Sequence, residues 1–565
     1  VEPVAVYINW TAYDELADNV ELTEALAMRQ FDELLRLRSK GVRLDYYLMD
    51  AFWYDPDDGY RSWRKPHWPD GPERWLAACR KNGVIPGLWV STNSLCHLNP
   101  YPAWEDSLNR DRNAMCMFDG GFLPDFMDVL QHWYDRGIRM FKFDFVRFHA
   151  ASANAERAHL PHEVIALNHA ALRTAMLRFR HRNPDVYLLA YNGFGGIQDN
   201  TSKPFHKTVD VRLLDAFDSL YCGDPCPADI PAMNFWRAQD VFSDHMVWQY
   251  ERNGIPLERI DNSAFMVGDT AACYHRKTAA WKGTLLLSLA RGGLVNTYYG
   301  NLDFLDDEKA AWFAKAQAMF LPLQACGRFF TFGGVPGKGE PYGYVALSER
   351  GALHTVVNPS QSVRTIPLRR ATAWQPRLEG GRILFRDAGY EPELTGDSVT
   401  LGPEQMCVAG YGIYDDGANE LGVQEDVVIP AAIQSLPAKF EGCGHNQVAA
   451  TITPPPDGDI RIIMTQSENG IAYRSTGGSS PGGRPLSEIL RIVAQQAGKK
   501  LPVRVQHDRA IWSGLSWVVG EISRQNVASG QPLQITCSSA ETRALELATT
   551  AYSVRYASDV QGSQP

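Results

Sequence analysis

The chain has 565 residues, 45% hydrophobic and 21% charged, proportions of a folded globular protein with material for two to four domains. A formal net charge of -10 and a pI near 5.8 argue against nucleic acid or an anionic membrane as the main partner and favour a neutral substrate. Ten scattered cysteines exclude a disulfide framework, and no apolar run is long enough to span a bilayer.

From the N-terminus, short apolar runs alternate with amphipathic helices, the pattern of parallel strands joined by crossover helices. Val4 to Asn9 is the first strand. A helix from about Glu21 to Ser39, stopped by Gly41, leads to the second, Leu44 to Asp50. A helix opened by Pro72 and closed by Gly83 leads to Val84 to Val90, and one from Leu123 to Arg136 leads to Met140 to Phe145. A helix from His162 to Arg182 ends at Asn183-Pro184, before Val186 to Tyr191. Phe217 to Cys222, Phe265 to Gly268 and Leu294 to Tyr299 bring the strands to eight.

Eight β/α repeats over roughly three hundred residues predict a (β/α)8 TIM barrel over residues 1–330, although a doubly wound sheet would also gather polar groups at its carboxyl edge. Polar residues do collect at the strand ends: Asn9, Asp50, Thr92-Asn93, Asp144, Asn192, Asp224 and Asp269. After Phe330 the texture becomes antiparallel. Runs such as Leu353 to Val357 and Met406 to Ala409 predict a β-sandwich over 331–420. A second β-rich accessory domain is expected over 421–565, with loops at Pro454 to Gly458 and Ser475 to Gly483 and one helix from Leu486 to Ala497. Nothing in these two modules reads as catalytic.

Lys142 and Asp144 lie two residues apart on one face of an otherwise apolar strand. They are either a buried structural pair or a ligand-facing one, since each unpaired buried charge costs several kcal/mol. Asp224, in Gly223-Asp224-Pro225, is either a turn residue or a second carboxylate on the same side of the barrel mouth. Paired carboxylates are what glycoside hydrolysis requires, one at the anomeric carbon and one at the leaving oxygen. Other motifs fail. Cys222 and Cys226 lack a second pair at zinc spacing, and Asp55 to Gly59 begins like a calcium loop whose last ligand position falls on Pro66. His162-Glu163 lacks the second histidine of a zinc protease, and no phosphate loop or dinucleotide fingerprint is found. Asn9 and Asn200 open formal glycosylation sequons, Asn9 at a strand end expected to face the mouth.

Lys142-Phe143-Asp144-Phe145-Val146-Arg147 resembles the K-W-D-M-N-R signature of glycoside hydrolase family 36, in the α-galactosidase clan with families 27 and 31. Leu48-Met49-Asp50-Ala51-Phe52-Trp53 is similar to that family's L-D-D-G-W-F, and Gly87-Leu88-Trp89-Val90 to its G-L-W-F. Gly223-Asp224-Pro225 falls where the family has S-D-N, and Tyr191 to Gly196 loosely resembles its glycine-rich fifth loop. Met49 and Val146 depart from the signature. The resemblance implies a retaining α-glycosidase acting on an α-galactoside or α-N-acetylgalactosaminide, with Asp144 as nucleophile and Asp224 as acid/base. It implies Lys142 as a sugar contact and, with it, Asp50, Trp53, Trp89, Asn192 and Arg147 as the sugar-holding set. No metal or organic cofactor is expected. A transglycosylase on the same fold and a catalytically silent carbohydrate-binding protein are the alternatives.

Overall fold

A computed structural model describes residues 2–12, 21–194, 210–224, 226–368, 380–477 and 483–557. The Asn200 sequon, Gly195-Gly196, Pro225 and part of the Ser475 to Gly483 loop lie outside the described residues.

The eight apolar runs are strands: β1 Val4–Ile8, β2 Tyr46–Met49, β3 Ile85–Ser91, β4 Met140–Asp144, β5 Tyr187–Ala190, β6 Ser219–Leu220, β7 Asn262–Val267 and β8 Val295–Gly300. All pair in parallel, in the order β6-β5-β4-β3-β2-β1-β8-β7. A parallel bridge between Leu220 and Ile260, with the Asp261 amide donating to the Leu220 carbonyl at 2.9 Å, joins the two edges into a barrel. Burial on both faces explains why the strands read as unbroken apolar runs rather than alternating ones.

The helices follow from local signals. α1 (Glu24–Ser39) is capped by the Thr23 hydroxyl, which accepts from the Leu26 amide at 3.1 Å. α2 (Glu73–Asn82) follows Pro72 and stops at Gly83, whose φ of +61° is left-handed. α3 (Phe122–Asp135) and α4 (Pro161–Arg182) bracket β4 in sequence. Between β5 and β6 the described residues hold only the 3-10 turn Val211–Asp215. α5 (Phe235–Arg252), α6 (Trp281–Ala290) and α7 (Asp307–Cys326) complete the ring.

The following residues form a six-stranded sheet and a three-stranded sheet packed about Val345, Val356, Val399 and Ala409. The strand Gly422–Val428 pairs with Arg382–Ala388, so the chain leaves this middle sheet only after residue 428. A buried ionic network fastens the sheet to α5. Arg237 bonds Asp240 at 2.9 Å and Asp387 at 2.8 Å, while Asp244 takes Arg291 at 2.9 Å and the hydroxyls of Tyr342 and Tyr344 at 2.6 and 2.8 Å. Such groups are tolerated inside only because each charge meets partners.

The C-terminal residues form two further antiparallel sheets. Here the expected helix from Leu486 to Ala497 is corrected. Only Leu486–Ile489 is helical, and Leu490–Gln496 is a strand paired with Leu533–Ser539. Leu490 and Ala494 bury one face against Ile535 and Cys537, so long-range pairing overrides a local pattern compatible with either period.

Candidate active site

The carboxyl ends of the barrel strands surround a cavity of about 250 Å³. Its lining includes Asp50, Trp89, Lys142, Asp144, Asn192 and Asp224, together with Trp10, Phe52, Tyr191, Tyr221, Tyr299 and Trp512.

Asp144 ends β4 and is held by three donors. The backbone amides of Phe145 and Asn192 reach Oδ1 at 2.9 and 3.1 Å, and the Trp89 indole reaches Oδ2 at 3.0 Å. Gly193 makes this close approach feasible. Its φ is +94°, and a Cβ there would sit 2.4 Å from the Val146 carbonyl oxygen. Burial pushes the Asp144 carboxyl up to about 6, against the opposing pull of Lys142 and the Trp89 hydrogen bond, with Asp224 and Asp50 adding to the rise.

Lys142 points toward the barrel axis and pairs with Asp50, Nζ to Oδ2 at 2.8 Å. Asp50 is oriented by its own amide, which donates to Asn9 Oδ1 at 2.8 Å, and by the Ala51 amide on its Oδ1. Asn9 Nδ2 in turn lies 3.3 Å from the Met49 sulfur, so Met49 occupies a polar niche with a weak acceptor. The Lys142 ammonium sits over the rings of Tyr191 at 4.4 Å and Tyr299 at 5.6 Å. Beneath them, the Tyr191 hydroxyl meets Asp261 and Tyr299, each at 2.7 Å, and Thr297 donates to Asp261 at 2.9 Å. Burial raises Asp261 to about 7.

Replacing Lys142 with Met is expected to cost about 3–5 kcal/mol, because Asp50 would stay buried without its partner. Urea unfolding measures this, and a Lys142→Met, Asp50→Leu double variant should recover much of the loss.

Asp224 is half-buried on the loop after β6, and its Oδ1 accepts from the Tyr221 hydroxyl at 2.7 Å. Tyr221 stacks on Tyr191 with ring centres 4.2 Å apart and planes 11° from parallel, tying the Asp224 loop to the aromatic floor.

Two expected contacts lie elsewhere. Trp53 is fully buried and backs the wall from behind, its indole donating to the Trp89 carbonyl at 2.8 Å within a cluster of Tyr54, Tyr60, Trp63 and Trp133. Arg147 is not among the lining residues; its backbone is clamped by Asn93, amide to Oδ1 at 2.7 Å and carbonyl to Nδ2 at 3.0 Å. Sequence reasoning missed Tyr191, Tyr221 and Tyr299, although all three stand at or beside strand ends. It also missed Trp512, which comes from the C-terminal module and has no strand-end signal. Among the described residues, no group of three or more His, Cys, Asp or Glu side chains is arranged to hold a metal ion, and all ten cysteines are free thiols.

No protein-family model and no curated protein matches this chain. Solved structures are similar in fold. A glycoside hydrolase family 36 α-galactosidase from Geobacillus stearothermophilus, in complex with raffinose, is 13% identical over 72% of this chain and 55% of its own, with a TM-score of 0.47. The α-galactosidase from Lactobacillus brevis is 14% identical over 73% and 55%, at 0.48, and isomaltulose synthase from a Klebsiella species is 12% identical over 72% and 98%, at 0.48. The chain thus spans about half the length of the two α-galactosidases. These are likenesses of shape, and the functional reading rests on the residues of the site.

Proposed function

We propose that this chain is a retaining α-glycosidase acting on an α-galactoside or α-N-acetylgalactosaminide. The observation that carries the reading is a pair of carboxylates, Asp144 and Asp224, lining one aromatic-walled cavity at the carboxyl end of a TIM barrel. In the first step an oxygen of Asp144 bonds to the anomeric carbon as the glycosidic bond breaks, and the leaving oxygen takes the proton of Asp224. In the second, Asp224 removes a proton from water, the water oxygen bonds to the anomeric carbon, and the ester to Asp144 is released.

The supporting environment suits these roles. Asp144 is the more rigidly held of the two, by two backbone amides and an indole, as an attacking group needs to be. Asp224, half-buried at the rim, has access to a leaving group and to water. Lys142 and Asp50 offer a donor and an acceptor to sugar hydroxyls, and Trp89 and Asn192 complete the candidate sugar contacts. Trp53 and Arg147 act, in this reading, by supporting that wall.

The test is a panel of 4-nitrophenyl α-glycosides of galactose, N-acetylgalactosamine and glucose, with the anomeric configuration of the first-formed product followed by NMR. Release of the α-anomer from the galactoside or N-acetylgalactosaminide is expected. Initial β-anomer would sink the double displacement. Calorimetric sugar binding with no cleavage would replace the enzyme by a sugar-binding protein.

A further inference from the structure

We infer that Trp512, carried by the C-terminal module, is the platform for the leaving group, and that the substrate therefore bears a ring with an apolar face, a second sugar or an aryl group, on that side of the scissile bond. This rests on the glycosidase reading above. The observation is topological: a half-buried tryptophan, from a module remote from the barrel in sequence, lines the same cavity as Asp144 and Asp224.

Its side of the cavity is set by what the module grips. The chain just after Asp224 is gripped by C-terminal residues as well as by the barrel, where the Ala228 amide donates to the Ala238 carbonyl at 2.9 Å. Arg474 donates to the Pro227 carbonyl at 2.8 Å, the Trp517 indole to the Ala228 carbonyl at 2.8 Å, and Ser516 to Asp229 at 2.5 Å. The neighbour of Trp512, Ser513, meets the Tyr274 hydroxyl at 2.5 Å. The Tyr274 ring lies 18° from parallel to Trp512, centres 6.5 Å apart, and braces it. These contacts put Trp512 on the Asp224 side of the cavity, and the group that protonates the leaving oxygen marks the leaving-group side of the bond. An indole face there suits a sugar or aryl ring, because it buries apolar C–H or π surface without demanding a hydrogen bond.

The structure also explains how so distant a residue is held in place. Phe235, Trp236 and Tyr274 of the barrel pack around His507 of the module, with Phe235 stacked at 4.0 Å, so the contact is a shared core rather than a tether.

The experiment compares three substrates of whichever sugar the panel accepts: the α-glycosyl fluoride, the 4-nitrophenyl α-glycoside, and the α-1,6-linked disaccharide with glucose, which for galactose is melibiose. The fluoride has no ring to stack. In Trp512→Ala the ratio of kcat/KM on a ring-bearing substrate to that on the fluoride should fall roughly tenfold to a hundredfold. Trp512→Phe should restore most of it, and melting curves of both variants report whether the module stays docked. A fall with melibiose alone assigns the platform to a second sugar, and a fall with the nitrophenyl glycoside alone assigns it to an aryl group. An unchanged ratio, whether all substrates suffer equally or none does, overturns the platform and leaves the glycosidase reading standing. A wild type that cleaves none of the panel overturns both.

Discussion

Asp144→Asn is expected to lower turnover of an activated aryl α-glycoside by on the order of 10^4-fold while leaving the fold intact. It removes the oxygen that would bond to the anomeric carbon, while its amide carbonyl can still accept from Phe145 and Asn192. The same variant should be more stable than wild type above pH 6, which separates loss of chemistry from loss of structure. Burial raises this carboxyl to about 6 from its ordinary 3.8. The folded state therefore holds the proton more tightly than the unfolded chain, and the resulting stabilisation is complete below about pH 4 and lost as pH rises through about 6. At pH 8 the ionised group weighs against folding by about 3 kcal/mol. The amide escapes that cost but turns its NH2 toward the Trp89 indole, forfeiting about 1 kcal/mol of hydrogen bonding. Melting curves at pH 8 and pH 4 should show a gain that shrinks on acidification; near-normal turnover would end Asp144's assignment. In the wild type, kcat/KM should decline below about pH 6, and Trp89→Phe, which removes a donor to the carboxylate, should move that limb to higher pH.

Asp224→Ala is the second large effect, and its signature is selectivity by leaving group. Disaccharide cleavage should fall by about 10^2- to 10^4-fold, the usual worth of a general acid. The glycosyl fluoride, whose departure needs little protonation, should lose far less in the first step. Azide should then speed turnover by attacking the glycosyl ester without base assistance, yielding the α-glycosyl azide through two inversions. A β-azide product would mean that Asp224, not Asp144, is the attacking group.

The barrel was readable because its strands are buried on both faces, which writes each as a continuous apolar run between helix signals such as Gly41, Pro72 and Gly83. For the same reason the site was partly readable. A charge such as Lys142 or Asp144 at the end of such a run has nowhere to point but the barrel mouth, and both line the cavity with Asp50, Trp89, Asn192 and Asp224. Trp53 was misplaced because sequence adjacency to Asp50 does not say which face of the wall a side chain takes. The close partner of Lys142 is Asp50, two strands away in the sheet, a pairing that no local spacing shows.

What the sequence alone determined is thus the barrel, its succession of strands and the carboxylate at the end of β4, all consequences of local pattern and of charge in an apolar run. Tertiary structure decided the rest. It turned Leu490–Gln496 from a helix into a strand, since only pairing with Leu533–Ser539 distinguishes the two. It also brought Trp512 into the cavity that Asp224 lines, because the meeting of residues nearly three hundred positions apart is written in no local period, only in the shared core that docks one module on the other.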